Sequence, residues 1–156
     1  MKSGFTGSAV LRELPRGEMI RRSLPLKWHG EFVQPLFCRS AIAGCTITIP
    51  KGFLTDGASV PRFFWRMISD TDPDILYPSF LHDLLYALNG RLPSALTNGN
   101  PVNLTREQCD EILFEQMEAV GCGWFKRHSA YRALRMFGQA AWDDDLRLRK
   151  LAGIIE

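Results

Sequence analysis

The sequence predicts an α+β fold in which N-terminal antiparallel strands pack against a C-terminal bundle of about three helices. Three observations predict it. Through residue 60 the apolar residues fall in short or alternating runs punctuated by glycine and proline, a pattern that suits strands. Beyond Pro61 they recur at helical spacing instead. The 156 residues, 46% of them hydrophobic, are enough for one substantial core and too few for two ordinary domains. The expected organisation is a single domain over 1–156, mainly strands and loops over 1–60, mainly helical over 61–142, with a charged tail over 143–156.

The strand candidates in order are Ala9 to Leu14, Leu24 to Trp28, and Cys45 to Ile49, the last alternating through Thr46, Ile47, Thr48 and Ile49. Pro50-Lys51-Gly52 then turns the chain. The small residues of Thr55-Asp56-Gly57-Ala58-Ser59-Val60-Pro61-Arg62 suit a tight loop crossing from strands to helices, and Phe63, Phe64 and Trp65 follow as a short helix or an apolar anchor. Pro78 is placed near the start of a helix that carries Leu81, Leu84, Leu85 and Leu88 on one face and ends at Asn89-Gly90. A polar loop spans Arg91 to Leu104. Thr105 and Gln108 form a capping-box pattern; the helix behind it turns Cys109, Ile112, Leu113, Met117 and Val120 inward and stops at Gly121. A last helix runs from about Trp124 to Trp142, with Tyr131, Leu134, Gly138 and Ala141 on one side.

Composition narrows the function classes. Nineteen basic against 17 acidic residues give a net charge of +2, too little to attract nucleic acid at long range. Neither a signal peptide nor a run of about 20 apolar residues is visible. The expectation is a chain made in the cytoplasm, a placement compatible with virion association or release at lysis. Cys38, Cys45, Cys109 and Cys122 show no CxxC pair and are expected to be free, mostly buried thiols.

The residues that could carry chemistry are Asp56, His82, Asp83 and Asp110. His82 and Asp83 adjoin the leucine stripe, and Tyr86 lies one turn beyond His82. Asp110 sits beside Leu113, Phe114 and Met117 on the next helix, which an intervening loop allows to pack antiparallel. A carboxylate on one imidazole nitrogen fixes the tautomer and strengthens the other nitrogen as a base. The same pattern equally describes a structural histidine in a buried hydrogen bond. Asp56-Gly57 is also an ordinary turn pair, and Asp110 also suits the acidic first turn of a helix.

Two resemblances attach to these residues. The string Ile49-Pro50-Lys51-Gly52-Phe53-Leu54-Thr55-Asp56-Gly57-Ala58-Ser59-Val60-Pro61-Arg62, then Leu81-His82-Asp83-Leu84-Leu85-Tyr86, Arg106 with Asp110, and Ala141-Trp142 resembles a family of uncharacterised phage and prophage proteins. That resemblance spans about Leu24 to Trp142. It implies a viral context, and its recurring polar positions fall on Thr55, Asp56, Ser59, Arg62, His82, Asp83 and Asp110. Separately, His82-Asp83-Leu84-Leu85-Tyr86 with Asp110 is similar to the catalytic helices of secreted phospholipases of the A class. That similarity implies that the histidine activates water, its neighbouring aspartate binds calcium and the partner aspartate orients the histidine. The doubled-glycine calcium loop and the disulfide framework of those enzymes are absent here.

Two functional readings stand side by side. In the first the chain is a hydrolase: His82 activates water, Asp110 orients it, and Asp83 with Asp56 holds Ca²⁺ or another divalent cation through hard oxygen donors. Thr55, Asp56, Ser59, Arg62 and Tyr86 support the site. Its substrate is a lipid ester or a cell-wall bond. In the second reading the chain is a non-catalytic virion, tail-assembly or host-interaction protein, and the same polar residues pin the loop to the helices.

Overall fold

The computed structural model describes residues 2–26, 29–55, 73–97 and 99–144. Among the described residues, six short strands precede the long helices: β1 (Gly4–Thr6), β2 (Leu11–Glu13), β3 (Gly30–Phe32), β4 (Leu36–Ser40), β5 (Cys45–Ile49) and β6 (Leu54–Thr55). They form two three-stranded antiparallel sheets, ordered β1-β4-β5 and β2-β3-β6. The alternation expected at Cys45–Ile49 is realised, with Ile47 and Ile49 fully buried and Thr46 and Thr48 half-buried. Its partner β4 also alternates, burying Leu36, Cys38 and Ser40. Phe37 points outward and a serine points inward, so hydropathy alone hides that strand.

The strand expected at Ala9 to Leu14 is confined to β2. The strand expected at Leu24 to Trp28 is not formed over Leu24–Leu26, and its last two positions lie outside the described residues. Helix α1 (Arg16–Arg21) comes first, and Leu24 closes it. Ser23 turns into the left-handed region at φ 55°, and the Leu24 N–H donates to the Met19 carbonyl at 2.9 Å. The Leu24 side chain joins Leu14, Met19 and Leu54 in a small core. An apolar residue that covers a helix end has the same hydropathy as one in a strand, which explains the misreading.

The helical half contains α2 (Pro73–Ala87), α3 (Arg106–Ala119), α4 (Trp124–Phe137) and the short α5 (Gln139–Trp142). Helix α2 includes Pro73, five residues before Pro78, so Pro78 lies inside it and has no N–H to give to the helix ladder. Residues 80–87 are all buried, so α2 is a central helix enclosed all round and not an amphipathic one. Its Phe80, Leu81, Leu84 and Leu85 pack with Phe32, Leu36, Ile47, Ile49 and Ile112 in the main core. A second cluster, Ile75, Leu113, Met117, Ala130, Ala133 and Leu134, joins α2, α3 and α4.

Sequence punctuation sets the helix ends. At Asn89 (φ 49°) the chain turns left-handed, and the Gly90 N–H reaches back to Leu85 O at 2.9 Å; Gly121 closes α3 in the same way, with Cys122 N–H on Met117 O at 2.8 Å. The Thr105–Gln108 capping box is present in both directions. The loop from Arg91 to Leu104 is more ordered than expected, because β7 (Arg91–Leu92) pairs with β8 (Val102–Asn103). The single helix expected from Trp124 to Trp142 is broken at Gly138.

Gly90 has φ +73°, and a Cβ there would lie 2.0 Å from the Leu104 carbonyl oxygen. Gly90→Ala therefore combines left-handed strain with a backbone clash, and is expected to lose about 2–4 kcal/mol in denaturant unfolding. An unchanged midpoint would contradict this packing.

Glu115 ties the two halves together. Projecting from α3, its carboxylate accepts from Ser3 Oγ at 2.7 Å, Ser40 Oγ at 2.6 Å and the Ala41 N–H at 2.8 Å. Gln116, fully buried, adds a bond from Nε2 to the Arg39 carbonyl at 3.0 Å. The helical layer is thus held to the β4 turn by polar as well as apolar contacts. Cys38, Cys109 and Cys122 are buried, Cys45 is half-buried, and none of the four is in a disulfide. Burial, reinforced by the neighbouring Asp110 charge, pushes the Cys109 thiol up to about 12.

Candidate functional site

The packing of α2 on α3 brings His82 and Asp110 together. His82 Nε2 lies 2.8 Å from Asp110 Oδ1, so the hydrogen bond expected between the two side chains is present. Tyr86, one turn along α2, donates its hydroxyl to the same oxygen at 2.6 Å. Arg135 of α4 donates from Nη1 to Oδ2 at 2.8 Å. One carboxylate on α3 therefore receives two donors from α2 and one from α4. Asp110 is fully buried, and His82 and Tyr86 are 3% and 1% exposed.

Burial by itself would raise the Asp110 carboxyl, but hydrogen bonds from His82, Tyr86 and Arg135 outweigh it and hold the group below the usual carboxylate range. Tyr86 moves the other way: burial first, then its bond to Asp110, keep the phenol protonated and hence a donor. An ionised carboxylate only accepts, so the His82 Nε2 bonded to it carries a proton; in the tautomer with that single proton the lone pair sits on Nδ1.

The depressed Asp110 carboxyl also predicts an acid limb in stability. The unfolded group titrates near its ordinary value of 3.8 and the folded group below it. Its contribution is therefore complete above the unfolded value and is lost as pH falls through the folded one. Thermal melts should show a steep loss of stability below about pH 4, flatter in Asp110→Asn. Equal acid limbs in the two proteins would contradict the assignment.

Surrounding groups hold the network rigid. The His82 and Tyr86 rings pack with centroids 4.1 Å apart, and Trp142 meets Tyr86 edge-on at 5.1 Å. Arg106, at the start of α3, donates to the Leu134 and Arg135 carbonyls at 3.1 and 3.0 Å, placing a cation at the C-terminal end of α4, where the helix dipole favours it. Gly138 makes this approach possible. A Cβ there would lie 2.5 Å from Leu134 O, 2.8 Å from Tyr86 Oη and 2.9 Å from Arg106 Nη1.

Of the residues singled out from sequence, the structure gathers His82, Tyr86 and Asp110. Asp83 is buried beside them on α2, 5% exposed. Thr55 is fully buried at the end of β6, a strand that packs on α2. Asp56, Gly57, Ser59, Arg62, Phe63, Phe64 and Trp65 lie outside the described residues. Among the described residues, no group of three or more His, Cys, Asp or Glu side chains could hold a metal ion. Of the two aspartates expected to hold a cation, only Asp83 is among the described residues.

Sequence reasoning missed Arg135. A carboxylate buried between helices needs a cationic or hydrogen-bonded partner, but Lys126, Arg127, Arg132 and Arg135 on α4 were equivalent candidates until the rotation of that helix was known. No helix among the described residues is long and apolar enough to cross a membrane.

No curated protein and no solved structure matches the chain. Residues 31–134 match the family described as proteins of unknown function, DUF1353; the match runs from β3 into the last turn of α4, includes His82, Tyr86 and Asp110 and covers more than half of the sequence, so the chain belongs to that family.

Proposed function

We propose that this chain is a phage- or prophage-encoded hydrolase that cleaves a lipid ester or a cell-wall bond with water activated by His82. The observation that carries the reading is the Asp110 carboxylate, fully buried and 2.8 Å from His82 Nε2. It orients the ring and leaves the Nδ1 lone pair as the base. Nδ1 takes a proton from water as the hydroxide oxygen bonds to the reacting carbon, and Asp110 stabilises the imidazolium that forms. Collapse of the intermediate breaks the bond to the leaving oxygen, which receives the proton back from Nδ1. Tyr86 and Arg135 keep the carboxylate ionised and in place, as positioning residues.

A divalent cation such as Ca²⁺, held by Asp83 with Asp56, belongs to this proposal as a polarising group for the substrate oxygen. The described residues do not by themselves make such a site, and each step above uses only side chains of the network.

A second reading draws support from one feature: a single carboxylate accepts donors from two helices while itself belonging to a third. A buried polar pin of that kind serves a non-catalytic virion, tail-assembly or host-interaction protein equally well. The experiment that separates the two presents the purified chain with phospholipid vesicles and with purified cell walls, and follows fatty-acid and soluble cell-wall release in the presence of millimolar Ca²⁺. The hydrolase reading expects product from one of them, abolished by loss of the His82 base. Product from neither, with a correctly folded protein, sinks it.

A further inference from the structure

Helices α3 and α4 meet along a seam lined by side chains of matching spacing. On α4, Trp124, His128, Tyr131 and Arg135 follow one another at steps of four, three and four residues, within about 60° of one another round the helix. On α3, Glu107, Glu111, Phe114 and Glu118 repeat those steps in the opposite direction. The two rows face each other. Phe114 meets the His128 ring edge-on with centroids 4.8 Å apart and the Tyr131 ring at 5.8 Å, while Glu111 acts on the Tyr131 phenol and Glu107 on the Arg135 guanidinium. Trp124 ends the row on the outside: its indole lies 4.4 Å from the His128 ring, and the residue is 64% exposed, held on one side and open on the other. At the other end Arg135 bonds Asp110, the carboxylate that also holds His82. From Trp124 to Arg135 the seam is about 16 Å long, and it leads from solvent to the outer side of the buried network.

The chemistry of the seam is mixed along its whole length. Phe114, His128 and Tyr131 are half-buried, so their rings border solvent without standing free in it. Glu107, Glu111 and Glu118 on the α3 side can only accept hydrogen bonds, whereas Arg135 and Arg127, whose guanidinium lies over the Phe114 ring, can only donate. A ligand of strong net charge, whichever its sign, would meet like charge on part of this surface. An acyl chain laid along it would strip water from carboxylates and guanidiniums and give them no hydrogen bond in return. A neutral saccharide avoids both costs, because it offers C–H faces to the rings and hydroxyls that donate to carboxylates and accept from guanidiniums.

We propose that the seam between α3 and α4 is a binding track for a glycan strand of the cell wall, with a sugar ring stacked on the open side of Trp124 at its outer end and the strand running toward Arg135 at its inner end. The inference deepens the hydrolase reading by naming the glycan as its substrate class. It rests on that reading for the bond that is cut, while binding itself needs no chemistry at His82.

The test is co-sedimentation of the full chain with purified cell walls, with a soluble tetramer of N-acetylglucosamine as competitor and product release followed in the same samples. The chain should sediment with the walls and the tetramer should displace it. Trp124→Ala should weaken binding about tenfold or more, whereas Trp124→Phe, which keeps a ring to stack on, should retain most of the affinity. Trp124 is largely exposed, so both variants should melt with the wild-type protein. The proposal is overturned if the chain stays in solution, if the tetramer fails to compete, or if Trp124→Ala binds as tightly as wild type. Fatty-acid release from phospholipid vesicles in place of wall binding also overturns it, because the substrate is then a lipid ester. Wall binding that depends on Trp124 but yields no soluble product would support the track and count against the hydrolase alone.

Discussion

Asp110→Ala should destabilise the protein by about 3–5 kcal/mol, the cost of removing one partner from a buried charged network. The loss has identifiable parts. The Tyr86 hydroxyl and the His82 Nε2–H, both buried, would each lose their acceptor, at roughly 1–3 kcal/mol for each unsatisfied group. Arg135 contributes less, because its side chain is 32% exposed and can return to water. Asp110→Asn should cost less than alanine, since its carbonyl can still accept from Tyr86 or His82, although its amide meets Arg135 donor to donor. Denaturant unfolding of the two variants checks the ordering. Wild-type stability in Asp110→Ala would mean that the network does not hold the three helices together.

The architecture was legible where one local signal decided the outcome. Ile47 and Ile49 alternate with threonines, Thr105 and Gln108 cap a helix, and Asn89-Gly90 and Gly121 end helices; each follows from residues within one turn or one strand. What was not legible depends on distant partners. Helix α2 is enclosed on every side, so no stripe marks its rotation. Ser40 faces inward only because Glu115 of α3 meets it, 75 positions away in the chain. The break after Phe137 shows the same dependence. Gly138 is needed where Tyr86 and Arg106 crowd the backbone, a demand that neither neighbour in sequence reveals.

The candidate site divides in the same way. His82, Tyr86 and Asp110 could be grouped because Tyr86 lies one helical turn from His82 and two polar residues bordering apolar stripes need partners when their helices pack. The geometry agrees, with both donors on Asp110 Oδ1. Arg135 could not be chosen among the basic residues of α4, and Asp56, Ser59 and Arg62 lie outside the described residues.

The central claim is that His82 is a base and not only a hydrogen-bond donor, and His82→Gln separates those roles. The glutamine amide can keep a donor on Asp110 Oδ1, whereas it has no lone pair able to take a proton from water. Glutamine and alanine both lose the ring that packs on Tyr86, but alanine also loses the donor to Asp110 and so confounds activity with folding. The measurement is the rate of product release from the vesicle or cell-wall substrate by His82→Gln, with its unfolding midpoint determined on the same preparation. The account predicts a folded protein within about 1–2 kcal/mol of wild type whose rate has fallen by about 100-fold or more. A folded His82→Gln protein that releases product at the wild-type rate would contradict it, and would leave Asp110, His82 and Tyr86 as the pin that joins the helices.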